Sequence, residues 1–204
     1  ESLPRKTRRA IEAGASASRE LKRLRLYAGL ERKDAPACAG IARSLLKESA
    51  DCGLVYDLMD ANRCAAGLAA AERKALFDAE RRAVDALLER RVFGPAGERC
   101  ADLRSAVELA VELDGARGVR PAESPVLKRA TAQLRAELSG GLAADRNRAD
   151  TLRSLLELAD DGRALEELYP KLVQAYPEDY VYAHRWARRL LKAGRAREAL
   201  NLLD

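Results

Sequence analysis

Three features predict an all-helical chain. Ala, Leu, Arg and Glu dominate the 204 residues and form helices readily, β-branched residues are scarce, and aromatics make up only 4%. Apolar residues recur at three- and four-residue spacing along most of the sequence. The segments so marked run about 10 to 23 residues and are joined by short turns, most of them holding glycine. Antiparallel pairs of that size cannot bury their own apolar faces. Stacking on neighbours must do it, which predicts an α-solenoid of helix pairs.

In chain order, residues 1–33 form a basic segment with Leu21, Leu24 and Tyr27 at helical spacing, interrupted upstream by Gly14 to Ser18. Pro36 opens a helix expected to reach Ala50, and Asp51-Cys52-Gly53 breaks it. Leu54, Val55, Leu58 and Met59 mark the next helix, ending near Asn62. Ala69–Arg91 carries the stripe Leu76, Phe77, Val84, Leu87 and Leu88, closed by Gly94-Pro95. Glu98–Leu113 follows, with Leu103, Val107 and Val111 four apart. Ser124-Pro125 reads as a cap and first-turn proline for a helix to Leu138. Asn147–Ala159 and Ala164–Ala175 form a pair joined by Asp160-Asp161-Gly162. The expected division is a basic N-terminal segment at 1–33, degenerate helical hairpins with all the cysteines at 34–141, and repeats at 142–204.

The net charge of +5 is uneven. Residues 1–33 hold ten Lys or Arg against four Glu, so the rest sits near −1. That confines the basicity to one segment, most simply a solvated helix face, and argues against a general nucleic-acid binder. No apolar run is long enough to span a bilayer.

Cys38, Cys52, Cys64 and Cys100 contain no C-x-x-C pair, which argues against a thioredoxin-type motif or zinc finger. Buried thiols and disulfides both remain, and the even count favours disulfides. Geometry narrows the pairing. Cys38 and Cys52 flank one predicted helix, about 21 Å apart at 1.5 Å per residue, and Cys52 and Cys64 flank the next at about 18 Å. A disulfide needs Cα atoms within roughly 7 Å. Folding the two helices antiparallel instead brings Cys38 beside Cys64 and leaves Cys52 at the far tip for Cys100. Those pairs imply an oxidising compartment, periplasmic or secreted; free thiols would imply the cytoplasm.

The most informative stretch is PEDYVYAHRWARRLLKAGRAREALNLLD, Pro177 to Asp204. Pro177 stands three residues before a helix, Ala187 lies seven before Gly194, and Ala199 and Leu203 follow that glycine by five and nine. Here the chain resembles the tetratricopeptide repeat family, whose helix pairs place small residues where backbones approach closely. It departs from the family in having Ala183 where Trp is common, with Trp186 three residues on. Counted from Gly162, the small position five along is Glu167, so the register is expected to hold only in the last pair. The resemblance implies a right-handed superhelix that binds other proteins rather than an enzyme. It also implies that the last helix, cut short at Asp204, continues or is covered by another chain.

The resemblance further implies that His184 and Arg188, four apart on the first helix of the pair, face the concave groove and receive a peptide, acidic or carboxylate-bearing. His184 is the only histidine, and no nucleophile lies near it in sequence, so nothing points to catalysis, a metal or a cofactor. Tyr169, Tyr176, Tyr180, Tyr182 and Trp186 put five of the nine aromatics within 18 residues. They are expected to pack the seam between helix pairs rather than stack on RNA. The leading expectation is therefore a protein-interaction scaffold. The alternatives are a docking arm of an exported thioredoxin-like protein, on a fainter likeness of the last third, and an RNA- or DNA-binding helical repeat.

Overall fold

The computed structural model describes residues 19–47, 51–95, 99–100 and 102–202. Every regular element among them is helical. The chain divides into two compact units, residues 1–118 and 119–204. The division falls at Gly118, which adopts φ +83° in a turn.

The first unit contains α1 (Arg19–Arg32), α2 (Ala35–Leu45), α3 (Leu54–Ala65), α4 (Ala70–Leu87) and α5 (Leu103–Gly115). The sequence reading extended α4 as regular helix to Arg91; instead it widens into a π-helical turn over Leu88–Val92. Gly94 ends that turn because an added Cβ would lie 2.2 Å from the Arg90 carbonyl oxygen. The helix expected from Glu98 starts only at Leu103, where Asp102 caps it by accepting from Ser105 N at 3.0 Å. Cys100 therefore lies before α5, not within it.

The basic segment does not stand apart. Described from Arg19 onward, it packs as α1 on α2 and α3. Leu26 is buried, and Gly29 lets the helix close on its neighbour, since a Cβ there would sit 2.8 Å from Cys38 Sγ. Arg19 and Arg23 both pair with Asp57 of α3, and Arg19 also with Asp51, so part of the basicity is internal. Residues 1–18, with the Gly14 to Ser18 interruption, lie outside the described residues.

The second unit contains α6 (Pro125–Glu137), α7 (Arg146–Leu158), α8 (Gly162–Ala175), α9 (Tyr180–Lys192) and α10 (Ala196–Leu200). Each of these packs chiefly on the next in sequence. Four starts are capped by short polar side chains: Ser124, Asp145, Asp161 and Asp179.

The α7–α8 pair repeats in α9–α10 at an offset of 34 residues. Asp145 and Asp179 cap helices of 13 residues each. Asp160 (φ 50°) and Gly194 (φ 77°) both take the left-handed conformation after them. Asp161 N then bonds Leu156 O at 3.1 Å, and Arg195 N bonds Leu190 O at 2.8 Å, the same helix-ending bond twice. The turn repeats but the small residues do not, since Arg153 and Leu165 stand 34 residues before Ala187 and Ala199. Asp160 makes the left-handed turn, as Asp can by local hydrogen bonding, and Gly162 is already helical. Five beyond Asp160 stands Leu165, fully buried, where the next repeat has Ala199 at 1% exposure.

Ala187 is equally buried, at 1% exposure. Ala187→Leu or Ala199→Leu is expected to overpack this contact and cost about 1–3 kcal/mol in urea unfolding. A loss of only a few tenths would contradict the packing. Leu203, the fourth position of the register, lies outside the described residues.

Candidate functional site

The amphipathic pattern of α9 sets up the candidate site. Tyr182, Trp186, Ala187 and Leu190 are buried, which turns the opposite face outward. Arg185, Arg188, Arg189 and Lys192 follow at i, i+3, i+4 and i+7 and so share one side. They line a cleft of about 560 Å³ together with Ala193 and with Glu157 and Asp160 from the end of α7. Arg189 and Lys192 lie in the last turn of α9, where the helix dipole favours positive charge and so helps hold them there.

Glu157 is the busiest group at the cleft wall. It accepts from Arg153 Nη1 at 2.6 Å, from the Tyr169 hydroxyl and, at 3.5 Å, from Arg185 Nη1. Arg153 is 97% buried, or 3% exposed, and also bonds Asp150 through Nε at 2.9 Å. Burial opposes its charge, but Asp150 and Glu157 outweigh that and raise its pKa. Burial, reinforced by the Glu157 carboxylate, pushes the Tyr169 hydroxyl up to about 12. Glu157 is thus committed to its own helix and to α8. Arg188, Arg189 and Lys192 have no ion-pair partner among the described residues. The cleft therefore presents uncompensated positive charge.

Of the two residues named from the sequence, Arg188 lines this cleft, whereas His184 is exposed one turn back and outside its lining. The sequence reading missed Arg185, Arg189, Lys192 and Glu157. Helical spacing alone would have grouped the three cations with Arg188. Placing Glu157 opposite them needed the arrangement of α7 against α9, which local spacing does not give.

The aromatic cluster is a packing seam. Tyr169 of α8 stacks on Trp186 of α9 with centroids 5.5 Å apart, and Tyr176 meets Tyr182 at 5.7 Å. The Arg195 guanidinium lies 6.0 Å from the Trp186 ring centroid. Of these five aromatics, Tyr180 is the exposed one, at 79%.

In the first unit the cysteines are joined in two pairs. Cys38 near the start of α2 bonds Cys64 near the end of α3 with Cα atoms 5.9 Å apart. Cys52 just before α3 bonds Cys100 with Cα atoms 5.5 Å apart. Among the described residues no group of three or more His, Cys, Asp or Glu side chains could hold a metal ion, and no helix is long and apolar enough to cross a membrane.

Comparison of the chain with protein-family models, curated proteins and solved structures found no match.

Proposed function

We propose that the chain is a helical-repeat interaction scaffold, tetratricopeptide-like in residues 142–204, that binds an acidic segment of another protein between α7 and α9. The observation that carries this reading is the set of unpaired cations Arg188, Arg189 and Lys192 in one cleft. The 34-residue offset supports the repeat assignment, because that is the period of the family. Carboxylates entering the cleft would replace water around guanidinium groups with charge-assisted hydrogen bonds.

Two observations favour a protein partner over RNA or DNA. Arg19 and Arg23 are engaged by Asp57, and Tyr169, Tyr182 and Trp186 are buried in packing. The two cysteine pairs support an exported protein, periplasmic or secreted, since such bonds persist in oxidising compartments. They equally suit a docking arm of an exported thiol–disulfide protein, and that assignment leaves the cleft's role unchanged.

The test uses a fluorescein-labelled ten-residue peptide alternating Glu and Gly, with a Gln version as control. Binding should require the Glu residues. Arg188→Ala should weaken it several-fold and leave thermal stability nearly unchanged. Equal binding of the Glu and Gln peptides would reject the reading, and tighter, strongly salt-dependent binding of single-stranded RNA would favour the nucleic-acid alternative.

A further inference from the structure

A second cleft, of about 670 Å³, opens on the same unit between α6, the Leu142–Ala144 turn, α7 and α8. It shares no lining residue with the cationic cleft. Leu138, Leu142, Leu152, Leu156 and Leu168 are among its apolar lining residues. Arg135 of α6 and Lys171 of α8 join the lining from different helices, and both are exposed. Glu167, also exposed, has Arg163 as a partner at 3.4 Å. Neither Arg135 nor Lys171 has an ion-pair partner among the described residues.

We infer that this cleft binds the alkyl chain of an aliphatic carboxylate, whose head group is received between Arg135 and Lys171. Apolar walls with a few placed polar groups are what small-molecule sites require, and the volume falls within their usual range of about 300–1,000 Å³. The burial of its leucines selects the occupant. Leu138, Leu152, Leu156 and Leu168 are each 7% exposed or less, so each offers little surface. A chain one methylene wide can reach it, whereas a docked helix, about 10 Å across, would need a broad apolar face. The unpaired cations then fix the sign of the head group, since a cationic head would meet like charge from both of them.

The experiment titrates the full chain with laurate carrying a 13C-labelled carboxylate, below its micelle-forming concentration, and follows the label by NMR. Saturable one-to-one binding is expected. It should fall at least tenfold in Arg135→Gln/Lys171→Gln and be lost in Ala164→Trp, which fills the cleft mouth from α8. Circular dichroism should show both variants folded, and if Ala164→Trp is not, the surface double variant decides alone. Arg188→Ala should leave laurate binding unchanged, which separates this site from the acidic-segment cleft. The inference is overturned if laurate does not bind at millimolar concentration. It is equally overturned if dodecyltrimethylammonium binds as well, or if the Gln variant binds laurate undiminished. Occupation of the cleft by an amphipathic Leu/Glu helical peptide, with no laurate binding, would make it a helix-docking groove and likewise end the proposal.

Discussion

Glu80→Gln is expected to stabilise the protein, and the gain should grow by about 3 kcal/mol between pH 5.5 and pH 8.5. Glu80 of α4 is fully buried, and neither carboxylate oxygen has a hydrogen-bond partner. Asn62 of α3 faces it, also buried, yet neither its amide oxygen nor its nitrogen completes a bond. Burial dominates and raises the pKa of Glu80 to about 8, against a lowering by the nearby Asn62 amide, which lies too far off or too poorly aligned for a full hydrogen bond, and with the Glu112 carboxylate adding repulsion. Arg63 offsets Glu112 rather than Glu80.

The sign follows from which state holds the proton. The folded chain keeps it up to about pH 8, whereas the unfolded chain releases it near the ordinary value of 4.5. The stabilisation is thus complete below about pH 4.5 and is lost as pH rises toward 8. Gln keeps the shape and the neutral charge and removes that loss. Urea unfolding of both proteins from pH 5.5 to 8.5 measures the difference, and a gap that stays constant with pH would show that Glu80 is not buried as its acid.

Removing the Cys38–Cys64 bridge is expected to cost about 3–4 kcal/mol, the chain-entropy estimate for a closed loop of this size. The bridge spans a sequence separation of 26 and ties the open end of the α2–α3 hairpin. It also forms part of the surface on which Gly29 of α1 closes. Cys38→Ser/Cys64→Ser should therefore loosen α1 as well, seen as faster amide exchange over Arg19–Arg32. An unchanged urea midpoint would refute a structural bridge, and four free thiols in unreduced protein from its native compartment would refute both pairs.

Much of this architecture was legible because local chemistry announces it. Ser124-Pro125 and Gly194 mark their helix ends in the sequence and do so in the structure. The lengths of α2 and α3 excluded the sequential cysteine pairs and left the two the structure contains. Reading failed where one residue type took another's role. Asp160 turned the chain where glycine was expected, which hid the matching turn one pair upstream. Glu80 was overlooked although Leu76, Glu80 and Val84 lie four apart on one stripe, which puts a carboxylate in line with the core. The π-helical turn at Leu88–Val92 has no period of its own in five residues. The placement of Glu157 across from Arg185 depends on packing between α7 and α9, which no local pattern encodes.

Charge reversal at the α7–α9 cleft tests the proposed function most directly. Arg188→Glu/Arg189→Glu should lose the Glu-containing peptide and gain one in which Lys replaces each Glu, with helical content unchanged. The lost and gained affinities, taken as a double-mutant cycle, should show coupling between the two charges and the peptide. Undiminished binding of the acidic peptide to the reversed protein would contradict the account.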